Sequence, residues 1–233
     1  MCYNCQNCIV EAMKMDVHVL TKMQTNLSFE RACLKLRVNE DYREEFQDIY
    51  NQCMEIASPK CMFGMAEVSV EGSRTCVAGE WFDSRLMREN MGALGRAFPS
   101  IATCGRELYE RYQQCDDILE KFWVDGISEL LLNAAASEMR ARIQETYHTE
   151  RLSSMSPGSL NDFPIVHQQA LFRMFGNPFA AIGVELTPEN LMLPHKSCSA
   201  IYFESEQPYE NCAYCPRPNC PNRRARFVRL VGQ

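Results

Sequence analysis

Apolar and polar positions follow helical or strand spacing in separate segments of the chain, and the order of these segments predicts its elements. Residues 42–57 carry an apolar stripe at helical spacing, preceded by the capping residue Asn39 and stopped by Ser58-Pro59. Residues 63–70, interrupted by a bulge, and residues 74–78 show the alternation of a β-hairpin. The first third of the chain therefore predicts one helix followed by a two-stranded hairpin.

The middle of the chain is predominantly helical. Asp83 is positioned to cap a helix, and residues 97–103 then predict a short buried strand. A long helical region spans residues 106–147, with a break between Gln113 and Asp117. This region is long enough to cover a face of any sheet that the strands form.

The last third of the chain returns to short elements. Residues 148–163 have no periodicity and predict a loop, whereas Pro164 suits the first turn of a helix that ends near Phe175. Residues 180–186 and 199–204 alternate as strands. Because hairpin-type connections replace a regular strand–helix alternation, the chain predicts an α+β domain with a mainly antiparallel sheet.

Composition divides the chain into three predicted parts. Residues 1–24 are rich in Cys, Met and Asn and have the character of an N-terminal extension, residues 25–204 form the domain, and residues 205–233 form a tail rich in Cys and Arg. Residues 211–233 of this tail hold five arginines and no acid, although the whole chain of 233 residues has a net charge of −6. A basic tail is typical of a solvated end, of nucleic-acid binding, or of a partner for a negatively charged metal–thiolate centre. The acidic remainder argues against a nucleic-acid partner.

Targeting signals are missing from the pattern. No apolar run approaches the roughly 18 residues that a membrane helix needs, and no basic stretch leads into an apolar core near Met1. We therefore expect a cytoplasmic protein without a membrane partner. The cytosol keeps thiols reduced, so the 13 cysteines predict thiols or metal ligands rather than disulfides.

The strongest local motif is Cys212-x2-Cys215-x4-Cys220 in the tail. Thiolates at this spacing can hold one metal from a tight turn, and Cys198 or His195 would supply the fourth ligand. Four thiolates suit an iron–sulfur cluster or structural zinc, and the spacing does not separate these. Cysteines that hold no metal are the remaining alternative.

A second cysteine group, Cys2-x2-Cys5-x2-Cys8, has the spacing of the first three ligands in a bacterial ferredoxin motif. Its fourth ligand would come from elsewhere in the chain, for example Cys33. The alternative is a reduced terminus without metal.

Several short motifs follow one another in the order of a known family. They are Ser156-Pro157-Gly158, Pro164-x3-Gln168, Leu171-Phe172, Ile182-Gly183-Val184-x-Leu186-Thr187 and Pro194-x-Lys196-Ser197-x-Ser199. Together they resemble the activation (reactivation) domain of cobalamin-dependent methionine synthase, over about residues 28–224. The tail, with its Cys-x2-Cys-Pro-x3-Cys-Pro-x-Arg-Arg pattern, is similar to that of stand-alone members of this family.

The resemblance implies a C-shaped α+β fold around a twisted antiparallel sheet. In methionine synthase this domain binds S-adenosylmethionine and docks on the corrinoid domain, where it supports reductive methylation of cob(II)alamin. The family pattern assigns residues 193–199 to the loop that faces the corrin. The cofactor-binding residues that it implies here are Pro157, Gly158, Pro194, Lys196, Ser197 and Tyr202.

The family's Arg-x-x-x-Gly-Tyr signature differs here at two charged or polar positions. Its Arg position falls on Ser154 and its Tyr position on Ser159, while an acidic residue of the long helix falls on Asn133. Arg151 is the nearest arginine before the loop. Because charge-assisted hydrogen bonds are lost at these positions, S-adenosylmethionine binding is expected to be weaker than in methionine synthase.

Two functions of different classes follow from the resemblance. The first is an accessory protein that reactivates a corrinoid-dependent methyltransferase, with the tail cysteines relaying an electron from a donor protein to Co(II). The second is a non-catalytic, zinc-stabilised cap or chaperone for a corrinoid protein. The chain has no Asp-x-His-x-x-Gly cobalamin motif, so both functions require that a partner bring the corrinoid.

Overall fold

An antiparallel sheet forms the centre of the computed structural model, which describes residues 15–206, 209–215, 217–219, 223 and 225–228. The strands are β1 (Asp16–Leu20), β2 (Lys60–Glu71), β3 (Arg74–Val77), β4 (Glu80–Phe82), β5 (Arg96–Thr103), β6 (Leu152–Met155), β7 (Glu185–Leu186), β8 (Met192–Leu193) and β9 (Ser197–Glu204). Seven of them form one sheet in the order β4-β3-β2-β5-β9-β6, with β1 paired to β2, and β7 and β8 form a separate hairpin. The architecture is therefore the α+β class with an antiparallel sheet that the sequence predicts.

Helices surround this sheet. They are α1 (Phe29–Leu36), α2 (Arg43–Ile56), α3 (Arg85–Met91), α4 (Arg106–Gln114), α5 (Ile118–Tyr147), α6 (Gln168–Phe175), α7 (Pro178–Ile182) and α8 (Asn211–Tyr214). The predicted break in the long helical region is confirmed, because α4 ends at Gln114 and the Asp117 side chain caps the start of α5. None of the helices in the described ranges is long and apolar enough to cross a membrane.

The alternation of side chains along β9 divides the core into two faces. Ala200 and Tyr202 pack with Met139 and Ile143, so their face is covered by the second half of α5. Ile201 and Phe203 belong to the cluster on the opposite face, which also includes residues of α3 and α6. A third cluster joins α1, α2 and the first half of α5 beyond the sheet. The helix α5 therefore ties a helical subdomain to the sheet.

Four local predictions are corrected by the structure. The pairing of β2 with β5 keeps one register from Lys60 to Glu67, so the predicted bulge is not present there. The cap of α3 is Ser84, not Asp83, because its hydroxyl accepts from the Met87 amide at 3.0 Å. The other two corrections concern segments whose type was predicted wrongly.

The segment predicted as a loop contains β6, and the segment predicted as a strand contains α7. β6 pairs with β9 although Ser153 and Ser154 interrupt its apolar pattern. Asn177 caps α7 by accepting from the Ala180 amide, and Pro178 occupies the first helical turn. The cap and the proline outweigh the apolar alternation that suggested a strand.

The predicted N-terminal extension contributes one strand to the sheet. β1 pairs with β2 from Asp16 to Leu20, opposite Met65 and Cys61. Residues 21–28 then lead from this edge of the sheet to α1. The cysteines Cys2, Cys5 and Cys8 lie outside the described residues.

Candidate functional site

The strand β9 connects the two regions that the sequence identified as functional. The segment that the family pattern assigns to the corrin, residues 193–199, lies at the Ser197 end of β9, and the cysteine tail packs near Phe203 at its other end. β9 is eight residues long, so its ends lie about 20 Å apart at about 3.3 Å per residue. The structure therefore places the loop and the tail at opposite ends of one strand.

The loop is fixed to α5 by a network of charged groups. Nε2 of His195 lies 3.0 Å from Oδ1 of Asp125, and Nζ of Lys196 lies 2.9 Å from Oδ2 of the same carboxylate. Lys196 also lies 3.2 Å from Oε2 of Glu129, one turn further along α5. The rings of Tyr109 and Tyr112 of α4 contact the imidazole. We refer to Asp125, Glu129, His195 and Lys196 as the loop clamp.

The pKa values of the clamp residues reflect these contacts. Burial alone would raise the pKa of the Asp125 carboxyl, but the hydrogen bonds from Lys196 and His195 outweigh it and hold that pKa below its ordinary value. Burial alone would lower the pKa of the Lys196 ammonium, yet its hydrogen bonds to Asp125 and Glu129 raise it. Both groups therefore stay charged and paired at neutral pH.

The remaining predicted residues of the loop have structural contacts. Pro194 is buried, and the Ser197 hydroxyl donates to Oγ1 of Thr103 at 3.0 Å. Lys196 contacts two acids of its own chain, Asp125 and Glu129. His195 is exposed, and so is Leu191 in the β7–β8 turn that precedes this loop.

The signature loop after β6 is held by hydrogen bonds to its neighbours. Gly158 has a φ of 82°, its amide donates to the Phe163 carbonyl at 2.8 Å, and a Cβ there would lie 2.8 Å from Cδ1 of Ile165. The neighbouring Pro157 is buried. Oδ2 of Asp162 accepts from the Ser84 hydroxyl at 2.5 Å, which ties the loop to the start of α3. Pro157 and Gly158 therefore shape this loop.

Another motif pair joins α6 to β9. The amide of Gln168 donates to Oγ of Ser199 at 2.7 Å, and that hydroxyl lies 2.9 Å from the amide oxygen of Gln168. Both residues are buried. Because buried polar groups need such partners, this pair fixes the register of α6 against the sheet.

Two of the predicted S-adenosyl positions, Ser154 and Tyr202, lie on the α5 side of the sheet. Ser154 pairs with Tyr202 across β6 and β9, and burial raises the pKa of Tyr202 to about 12. The hydroxyl of Ser159 donates back to the Ser156 carbonyl at 2.6 Å. Arg151 reaches the Glu206 carbonyl near the end of β9, so its guanidinium is directed away from the signature loop. Arg151 therefore does not replace the missing arginine.

The proposed metal ligands are not all brought together. Cys198 lies on the face of β9 that α5 covers, whereas Cys215 packs against the cluster on the opposite face. Burial raises the pKa of the Cys198 thiol to about 11, which disfavours the thiolate that a metal requires. His195 is held by Asp125 at the far end of β9. Neither predicted fourth ligand is therefore adjacent to the described tail cysteines.

The described part of the tail is organised by Arg223. Its guanidinium donates to the carbonyls of Cys212 at 2.6 Å and of Cys215 at 3.0 Å, and also to those of Arg217 and Ala225. The tail is joined to the sheet by Tyr209, whose ring contacts both Phe203 and Tyr214. A positive charge thus lies beside the backbone that presents Cys212 and Cys215.

Cys220 lies outside the described residues, so the structure brings only Cys212 and Cys215 of this motif together. Within the described ranges, no group of three or more His, Cys, Asp or Glu side chains is arranged to hold a metal. Cys33 is buried among the helices α1, α2 and α5, away from any exposed site.

Sequence patterns did not predict the groove between α1 and α5. This cavity has a volume of about 830 Å³ and is lined by Arg31 and Lys35 of α1 and by Asp125, Glu129 and Asn133 of α5. The start of α1 was detectable in the sequence, because serine is a preferred capping residue. In the structure, the Ser28 hydroxyl accepts from the Arg31 amide. The clamp acids were also detectable as a pair four residues apart on one helix, but their partners were not.

The fold has a counterpart among solved structures. No protein-family model and no curated protein sequence matches the chain. The crystal structure of the MetH reactivation domain bound to AdoHcy has a TM-score of 0.56 and 13% sequence identity, with 85% of this chain and 82% of that chain covered. The chain therefore has the fold of a methionine synthase reactivation domain.

Proposed function

We propose that this protein is an accessory factor for the reductive activation of a corrinoid-dependent methyltransferase, such as methionine synthase. The observation that carries the proposal is the fold, which matches the reactivation domain of MetH over 85% of this chain. The ordered series of family motifs in the sequence supports the same function. A partner protein supplies the corrinoid as the substrate of this reaction.

The loop clamp supports a docking role for the segment at the Ser197 end of β9. A docking surface binds more tightly when it is already fixed in its bound conformation, because less conformational entropy is lost. The hydrogen bond of His195 with Asp125 and the ion pairs of Lys196 with Asp125 and Glu129 provide this rigidity. Leu191, which is 59% exposed, offers an apolar contact in the β7–β8 turn that precedes this segment.

An S-adenosyl compound is the proposed small-molecule ligand, and it would supply the methyl group. The AdoHcy of the solved reactivation domain supports this ligand class. In this chain, Gly158 shapes the signature loop and Tyr202 lies across from Ser154 on the face that α5 covers. These residues fit a ligand that lies along the α5 side of β6, although Ser154 offers no charge to its carboxylate.

The tail cysteines Cys212, Cys215 and Cys220 are proposed to hold a metal. Arg223 fits such a centre, since its charge would offset the negative charge of metal-bound thiolates. A centre held there lies about 20 Å from the clamp by the length of β9, which favours a structural role over direct electron relay. Structural zinc therefore fits this position as well as an iron–sulfur cluster does.

Metal and sulfide analysis of protein prepared without oxygen tests this centre. One zinc per chain without sulfide supports the structural reading, and iron with sulfide supports a redox centre. Cys215→Ser should lower the metal content and loosen the tail, because metal binding and local folding are coupled. The matched control is Cys76→Ser, on β3 away from the tail. Equal metal content in wild type and Cys215→Ser would contradict the assignment.

Binding to a corrinoid methyltransferase tests the proposed function. We expect Leu191→Asp to weaken the complex by about tenfold or more, because a charge replaces an exposed apolar contact that docking would bury. Leu34→Asp is the matched control, since Leu34 is 77% exposed on α1. Titration calorimetry provides the measurement. Equal affinities of the two variants would remove Leu191 from the interface, and no binding of wild type would contradict the docking.

A further inference from the structure

The guanidinium of Arg140 lies at the free edge of the sheet. Its Nη2 donates to the Leu152 carbonyl of β6, which is the last strand in the sheet order. The preceding carbonyl, of Arg151, accepts from the Ser205 amide and so faces β9. Because successive carbonyls of a strand point in opposite directions, the Leu152 carbonyl faces outward, and Arg140 binds it there.

Arg140 has no carboxylate partner among the described residues. Arg142, two residues further along α5, contrasts with it because it contacts both Glu138 and Glu145. A guanidinium has five N–H donors, and the contact with Leu152 uses one of them. Arg140 is exposed, so its charge and remaining donors are available to a ligand.

Arg140 lies on the same side of the sheet as the proposed S-adenosyl residues. The side chain of Leu152 packs in the α5-side cluster with Tyr202, and Ser154 pairs with Tyr202 across the strands. Two residues along a strand span about 6.6 Å, which an arginine side chain can reach from the Leu152 carbonyl. The positive charge of Arg140 also acts on the Tyr202 hydroxyl, consistent with this proximity.

The direction of α5 places Asn133 beside a later part of β6 than Arg140. α5 and β6 are joined by a short connection and run in opposite directions, so residues earlier in α5 face residues later in β6. Asn133 precedes Arg140 by two helical turns, about 10 Å along the axis. A ligand between them would have a cation at one end and the amide of Asn133 at the other.

We infer that Arg140 binds the carboxylate of an S-adenosyl ligand that carries an amino-acid group, in place of the arginine that the family has at position Ser154. The inference rests on the proposed S-adenosyl site. Arginine pairs with a carboxylate through two parallel hydrogen bonds, which fits a ligand whose tail reaches the edge of β6. The cation of this chain thus comes from the long helix and not from the signature loop.

Calorimetry with two ligands tests this role. S-adenosylhomocysteine carries the carboxylate, whereas 5′-methylthioadenosine has the same nucleoside and sulfur without the amino-acid group. We expect Arg140→Ala to weaken the binding of S-adenosylhomocysteine by about tenfold or more, and to leave the affinity for methylthioadenosine unchanged. Arg142→Ala is the matched control and should leave both affinities unchanged.

Each other outcome overturns a specific step. Equal binding of S-adenosylhomocysteine by wild type and Arg140→Ala would overturn the inference and leave the proposed function standing. Equal losses for both ligands would mean that Arg140 only supports the fold of the cleft, and would also overturn the inference. No binding of either ligand to wild type would instead contradict the proposed S-adenosyl site itself.

Discussion

Phe203→Ala should lower the free energy of unfolding by about 3–5 kcal/mol, because it removes a large side chain from a packed core. Phe203 lies on β9 with no exposed surface, and its ring contacts that of Tyr209. It belongs to the core cluster that joins the sheet to the helices on the face opposite α5. The cavity left by this substitution would therefore affect the strand that carries both functional regions.

Urea denaturation monitored by circular dichroism measures this loss. Phe122→Ala is the matched control, since Phe122 is 57% exposed on α5. This substitution should lower the free energy of unfolding by less than about 1 kcal/mol. Similar midpoints for Phe203→Ala and wild type would show that the Phe203 end of β9 is not packed as the structure describes it.

Asp125→Ala should slow corrinoid activation by about tenfold or more while leaving the fold intact. The substitution removes the contacts of both His195 and Lys196, so the loop at the Ser197 end of β9 loses its attachment to α5. The loop would then have to become ordered each time the partner binds, and this loss of conformational entropy lowers the affinity. Because Asp125 is partly exposed, we expect only a small change in melting temperature.

The control for this variant is Glu110→Ala, an exposed acid of α4 outside the clamp. Equal activation rates for Asp125→Ala and Glu110→Ala would remove the clamp from the activation mechanism. A large loss of melting temperature would show instead that Asp125 acts through global stability.

The pKa shifts of the clamp predict how its contribution to stability depends on pH. A carboxyl whose pKa is lowered on folding stabilises the fold above its ordinary value of 3.8, and this contribution is lost as the pH falls below that value. An ammonium whose pKa is raised stabilises the fold below its ordinary value of 10.5, and this contribution is lost at higher pH. The Asp125–Lys196 pair should therefore persist throughout the neutral range.

The fold was predictable wherever local signals agreed with packing. Ser58-Pro59 ends α2, and the break before Asp117 separates α4 from α5, as the sequence predicts. The strand β6 was missed because its serines have no apolar alternation, and its pairing with β9 decides its conformation. The helix α7 was missed because an alternating apolar run outweighed the Asn177 cap and Pro178 in the sequence interpretation.

The candidate site was predictable only in part. The motifs around Gly158 and Ser199 were identified from the sequence. In the structure, Gly158 shapes the signature loop and Ser199 accepts a hydrogen bond from Gln168. The clamp joins residues that are far apart in the chain, and Arg223 joins its side chain to backbone carbonyls of the tail. Sequence spacing indicates neither kind of contact. Cys198 was assigned to the tail cluster by sequence proximity, but strand alternation places it on the other face.

The separation along β9 changes the interpretation of the tail. Sequence proximity suggested that a centre held by the tail cysteines would relay an electron directly to the corrin. The length of β9 places the described tail about 20 Å from the clamp, so an external electron donor would reach the corrin without passing through this centre. We therefore propose that activation depends on the loop and the S-adenosyl site, and that the tail stabilises the fold.

The most direct test of the account is the rate at which a partner's Co(II) is methylated. A corrinoid methyltransferase in the Co(II) form is mixed without oxygen with S-adenosylmethionine, a low-potential reductant and this protein. The reductant supplies one electron to give Co(I), which takes the methyl group of S-adenosylmethionine and releases S-adenosylhomocysteine. We predict that Co(II) absorbance is lost faster with the protein than without it, and more slowly with Asp125→Ala than with wild type. Equal rates with and without the protein, across the candidate corrinoid partners, would contradict it.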